Sequence, residues 1–282
     1  MSKIIACIDG SPLAGSVCDH SAWLAHRLAL PITLLHVLER SLYPTSPDTS
    51  GAIGLGSREH LLEALARLDE QRARLARADG EALLAGALQR LHERGVATAP
   101  TTLQRHDYLA DTLRELEAEL GVLVIGKRGE RSGDSGIGSQ LEAVVRAVHR
   151  PILICSGPFK PPRQFTIAYD GREATHQGIL TLARSPLLAG MSGTLLRVGE
   201  DDPILRKRLD DLALLLRSAG CRVDTTVAHG DVERIVPRHL DERRADLLIM
   251  GAYSHSSVWR FLRGSRTTQL LHKTEVPMLL LR

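Results

Sequence analysis

The sequence predicts an α/β protein built as two tandem, doubly wound parallel-sheet domains. Three observations predict it. The chain reads as two copies of one plan, its strand-like segments are near-continuous apolar runs, and stretches of helical period separate them. Apolar runs without polar alternation suit a sheet covered on both faces. Short β-α-β units with such strands close as a parallel sheet.

Taken in order, each copy opens on an apolar strand ending in Asp-Gly: IIACIDGS (4–11) with Asp9, and FTIAYDGR (165–172) with Asp170. Ser11 with Pro12 is expected to open the first helix, where proline's missing N–H costs nothing. Val17, Ser21, Leu24 and Leu28 then step by four, three and four and define its buried face. The second strands are TLLHV (33–37) and TLLRV (194–198). Leu109, Leu113, Leu116 and Leu120 repeat the helical spacing before the next strand. In the second copy Asp231 is placed to cap a helix running to Leu240, which Pro237 should kink or shorten.

Two further strands run into glycine, VLVIGKRG (122–129) and LLIMGAYS (247–254). Both copies then reach Gly-Ser, at Gly138-Ser139 and Gly264-Ser265, and twelve residues after each Ser a proline opens a terminal strand, PILIC (151–155) and PMLLL (277–281). Asp9 and Gly126 are 117 residues apart, Asp170 and Gly251 only 81. The extra 36 residues fall around 41–90, as a Pro/Ser/Gly-rich loop and a lengthened helical region. In that region Leu61, Leu65, Leu68 and Leu75 share one face among many Arg and Glu, a solvated amphipathic helix or a partner surface. The linker GPFKPPRQ (157–164) has three prolines and divides the chain into domains at 1–156 and 165–282.

The bulk numbers agree with this plan. The 282 residues exceed one average domain, and 43% hydrophobic with 3% aromatic residues requires aliphatic cores. Thirty-six basic and 33 acidic residues are interspersed, which points away from a nucleic-acid patch or a membrane-seeking face. Four cysteines without CxxC spacing suggest small buried hydrophobes. The start, MSKIIACIDGSP, is too short an apolar run for a signal peptide, and no run reaches the roughly 18 apolar residues of a membrane span. A cytoplasmic setting is expected.

Ligands of doubly wound sheets bind outside the carboxyl ends of the strands. Asp9, Asp170, Gly126 and Gly251 all fall there. A P-loop fails at Gly121-x4-Gly126-Lys127, because Arg128 replaces the Ser/Thr and the middle residues VLVI are a strand. The dinucleotide fingerprint, a G-x-S-x-G elbow, HExxH and paired zinc ligands are absent from the sequence. What remains is Gly126-x2-Gly129-x8-Gly138-Ser139 in the first copy and Gly251-x2-Ser254-x9-Gly264-Ser265 in the second.

On these residues the chain resembles the universal stress protein family, whose nucleotide-binding members carry G-x2-G-x9-G-[S/T] after the fourth strand. The resemblance covers nearly the whole chain as two copies. It implies five-stranded, Rossmann-like sheets of the adenine nucleotide alpha hydrolase-like kind, pairing through their final strands, in tandem members within one chain, with a homodimer as a further expectation. It implies a stress-response regulatory protein, not an enzyme, that binds ATP or a related adenine nucleotide, with Mg2+ accompanying it, in at least one domain. The glycines would let main-chain amides approach an anion, and Ser139 or Ser265 would start a helix whose dipole favours phosphate. Asp9 with Val37, and Asp170 with Val198, would meet adenine and ribose.

Both loops depart from the pattern. The first is one residue short and carries Glu130 and Asp134, while in the second Ser254 replaces a glycine, with Arg260, Arg263 and Arg266 nearby. Other readings of the same residues are structural. Asp9 can cap its own turn, the glycines at 133, 136 and 138 can form a ligand-free loop, and His36 can line or support the strand end. A nucleotide-free interaction protein with degenerate phosphate loops is the alternative function, and a slow ATPase or nucleotidyl-type transferase is a third.

Overall fold

In the computed structural model the described residues are 2–38, 55–129, 139–252 and 276–282. The first half runs β1 (Lys3–Cys7), α1 (Ala14–Leu28), β2 (Ile32–Leu38), α2 (Leu55–Glu93), β3 (Thr101–His106), α3 (Leu109–Glu115), β4 (Leu120–Gly126), α4 (Ser139–Ala147) and β5 (Ile152–Cys155). The second runs β6 (Gln164–Ala168), α5 (Glu173–Ala183), β7 (Ser192–Val198), α6 (Pro203–Ser218), β8 (Arg222–Ala228), α7 (Val232–Arg243), β9 (Leu247–Gly251) and β10 (Met278–Leu281).

All ten strands join one sheet, ordered β3-β2-β1-β4-β5-β10-β9-β6-β7-β8. Neighbours are parallel within each half; at the centre β5 and β10 pair antiparallel, Met278 opposite Ile154 and Leu280 opposite Ile152. The two terminal strands thus satisfy each other's backbone groups within one chain. Each face of the sheet carries one continuous aliphatic core. Ile4, Leu24 and Leu34 pack with Phe165, Ile179 and Leu212 on one face, and Leu113, Val144 and Ile154 with Val236, Leu240 and Leu280 on the other.

Four sequence expectations are corrected locally. The first helix starts at Ala14, not at Pro12, and Leu13 stands at its N-cap without a side-chain bond. Asp9 Oδ1 instead accepts the Ser11 amide at 3.1 Å, turning the chain first, and the Ser11 hydroxyl is buried without a partner among the described residues. The Leu109-to-Leu120 periodicity ends early: α3 has seven residues and Leu120 already belongs to β4. Asp231 is the N-cap residue of α7 but makes no side-chain cap bond there. Pro237 does not shorten that helix, which continues to Arg243. Near the N-terminus the ring removes only the bond that would return to the first turn.

Helix α2 is fastened to the first half by a buried carboxylate. Asp19 of α1 accepts two bonds from Arg90 (2.9 and 2.8 Å) and two from Arg94 (2.8 Å each). Burial disfavours that charge, but the two guanidinium groups outweigh it and hold the carboxyl below its ordinary range. The linker docks on the same helix: Ser16 donates to the Gly157 carbonyl at 2.6 Å, and Phe159 packs edge-on to His20, ring centroids 4.8 Å apart.

Candidate functional site

The carboxyl ends of β6, β7 and β9 enclose a cavity of about 190 Å3 in the second half. Asp170, Val198 and Gly251, each proposed from sequence, all line it. Parallel pairing explains the convergence, because β6 lies between β7 and β9 and delivers Asp170 between them. Ala168, Leu196, Met250, and Val232 and Val236 of α7 form an apolar wall, which suits the face of a planar ring. Asp170 Oδ1 accepts the Arg172 amide at 3.0 Å, the same self-turn that Asp9 makes in the first half. Each aspartate therefore turns its own chain, and Asp170 does so on the cavity wall.

Two polar residues of this cavity escaped the sequence reading. Burial pushes the Tyr169 hydroxyl up, and it lies 3.3 Å from His176 Nδ1. Arg197 has its Nε buried without a hydrogen-bond partner, and its guanidinium enters no ion pair among the described residues. A half-buried cation with unmet donors selects for an anion. The signal for it was available, since Arg197 stands opposite His36 when TLLRV is laid on TLLHV.

The first half treats the equivalent edge differently. Asp9, Val37 and Gly126 lie at or just past the ends of adjacent strands. His36, 7% exposed, donates through Nδ1 to the Ile8 carbonyl at 2.8 Å. Helix α2 lies directly on it: a Cβ added at Gly80 would sit 2.6 Å from the His36 ring and 2.3 Å from the Gln104 amide. A cavity of about 630 Å3 in this half opens between α1 and α2 and reaches the end of β1, lined by Ile8, Gly10, Ala14, Cys18, Leu83 and Arg90 among others. Lys127, just past Gly126, is buried; desolvation, with Arg128 adding to it, lowers its pKa to about 8. The second half has Ala252 there.

The glycines at the two strand ends are not interchangeable. A Cβ on Gly251 would lie 2.0 Å from Thr175 Oγ1, so this glycine lets α5 pack on β9. At Gly126 the nearest atoms would be 3.2 and 3.3 Å away, a tight but yielding site. Neither has a positive φ, so close approach and not left-handed backbone is what glycine supplies at both. Gly129 is half-buried, and Ser139 is the first residue of α4, the helix-N-terminal placement the phosphate argument requires. Gly138, Ser254, Gly264 and Ser265 lie outside the described residues, as do Glu130, Asp134, Gly133, Gly136, Arg260, Arg263 and Arg266.

The cysteines behave as hydrophobes: burial pushes Cys18 up to about 11 and Cys7 and Cys155 higher still, keeping the thiols protonated. Among the described residues no three His, Cys, Asp or Glu side chains form a metal-holding group. No described helix is long and apolar enough to cross a membrane.

An acidic turn, an apolar wall and a cation without an ion pair among the described residues meet at the carboxyl rim of the parallel sheet of an α/β protein. The comparisons with known proteins fix its family. The model of the universal stress protein family matches residues 1–156 and again 167–282. The chain belongs to that family, as a tandem member. It is 31% identical, over the full length of both chains, to the universal stress protein Slr1230 of Synechocystis. Among solved structures it is similar to a universal stress protein from Archaeoglobus fulgidus, with a TM-score of 0.67, 15% identity, and 99% of this chain and 96% of that one covered. A putative universal stress protein from Pseudomonas aeruginosa matches with a TM-score of 0.57 and 15% identity over 100% of this chain and 93% of that one. At that identity the structures speak for the fold.

Proposed function

We propose that this is a cytoplasmic stress-response regulatory protein whose second half binds ATP or a related adenine nucleotide. The observation that carries the reading is the single cavity lined at once by Asp170, Val198 and Gly251. The base lies against Val198, Val232, Val236 and Met250. Asp170 accepts from the ribose or the base edge, and Arg197 neutralises part of the ligand's charge. About 190 Å3 suits the nucleoside end of such a ligand, since whole drug-sized ligands occupy roughly 300–1,000 Å3. The phosphates then extend past Gly251, and Mg2+ arrives with them. The nucleotide is held as a signal and not turned over.

Calorimetric titration of the full chain with ATP and with adenosine tests this reading. Asp170→Ala lowers the affinity for both by about tenfold or more, the loss of one charged hydrogen-bonding group. The same change at Asp9 leaves most of the affinity in place. Loss at Asp9 alone would move the site to the first half. No heat with either ligand would leave the nucleotide-free interaction protein as the function.

A further inference from the structure

We propose that the first part of α2, residues 55–79, is a dimerisation arm that pairs antiparallel with the same arm of a second chain. This does not depend on nucleotide binding.

The arm follows from where α2 is anchored. Its buried residues Leu84, Ala87 and Leu91 belong to the second part of the helix, which packs on α1, β2 and β3. Gly80 abuts His36 and Gln104, near the carboxyl ends of β2 and β3. The helix runs opposite to the strands, and the Arg77 carbonyl still accepts from Gln104 of β3 at 3.2 Å, so the residues before Arg77 extend past the edge of the sheet. At 1.5 Å per residue, 55–79 make a rod about 37 Å long.

That rod carries an apolar stripe that runs from half-buried Leu65 to exposed Leu68 and Leu75. Leu65, Leu68, Arg72 and Leu75 are spaced three, four and three, the seam spacing of paired helices. Leu68 is 41% exposed and Leu75 65%. Three leucines at seam positions on one solvated helix are costly unless a partner helix covers them.

Charge decides the partner and its direction. Residues 55–70 hold Glu59, Glu63, Asp69 and Glu70 against Arg58 and Arg67, whereas 71–79 hold Arg72, Arg74 and Arg77 against one Asp79. Two copies laid antiparallel set the acidic half of each against the basic half of the other; laid parallel, like faces like. With the two-fold axis near Glu70, Leu65 meets the second chain's Leu75, and Leu68 packs on the aliphatic stem of its Arg72. Arg72, 3.9 Å from Asp69 in its own chain, then reaches Asp69 of the other. The edges of β5 and β10 are already spent on each other, so a second copy needs a surface other than these terminal strands.

The test is self-association of the full chain, followed by light scattering across a concentration series. The wild type is expected to be a dimer. The double variant Leu68→Glu, Leu75→Glu is expected to associate about 100-fold more weakly, with an unchanged melting temperature in the monomer because both residues are exposed. Direction is read by oxidising a mixture of Leu65→Cys and Leu75→Cys chains, with the oxidised wild type as control. Antiparallel arms give the mixed disulfide and little of either homodisulfide. A wild type that stays monomeric, a dimer indifferent to the two glutamates, or homodisulfides in place of the mixed product would each overturn the proposal.

Discussion

The two halves share one fold and end their strands on the same residue types, yet their carboxyl rims are built in opposite ways. In the first half an inserted helix lies on the strand ends, and the residue at the end of β2, His36, is spent on the Ile8 carbonyl. In the second half nothing equivalent is inserted, and the matching residue, Arg197, faces a cavity with its Nε unmet. The two copies keep one architecture, while the long insertion and a few side chains make their rims unlike. A glycine pattern alone does not reveal this. The first copy keeps more of the glycines, whereas the second has the cavity that gathers the expected residues.

The largest effect expected from this contrast is at the matched glycines. Gly251→Ala forces Thr175 and α5 away from β9 and should cost about 3 kcal/mol in chemical denaturation, against about 1 kcal/mol for Gly126→Ala. Equal losses would mean the two strand ends pack alike. The next concerns the buried ammonium that only the first half carries. Lys127 titrates near 8 when folded and at its ordinary 10.5 when unfolded, so below pH 8 the folded state bears a charge it disfavours. That cost fades as pH rises from about 8 toward 10.5, and wild-type stability should rise across this window. Lys127→Met should be more stable at pH 7 by about 2 kcal/mol, after solvent screening, and flat across the window. The smallest effect concerns the strand-two residues. Arg197→Gln should weaken ATP about tenfold, or 1.4 kcal/mol, and leave adenosine unchanged, whereas His36→Gln should alter neither. A change at His36 would show that the first rim is open after all.

Much of this was legible in the sequence because it rests on spacing. The repeated Asp-Gly strands, the proline-opened terminal strands and the apolar runs are periodic signals, and each reappears as a strand in register. The length of the insertion gave away its helix. What stayed hidden depends on where side chains meet. That α2 returns over His36 through Gly80 is a tertiary fact, as is the contact between Gly251 and Thr175. Ser11 shows the limit in miniature: it has the chemistry of a helix cap, but Asp9 claims its amide first and the helix begins later. The wall from Val232 and Val236 was equally out of reach, because it requires knowing how α7 tilts over the sheet.

The antiparallel seam at the middle of the sheet also has a bearing on biosynthesis. β10 comes last in chain order yet sits beside β5, so the first half emerges from the ribosome with Ile152–Cys155 as a bare, wholly apolar rim. Until more than a hundred further residues have been made, that rim can recruit the same strand from a neighbouring nascent chain, and prompt arrival of the second half is what keeps it from doing so.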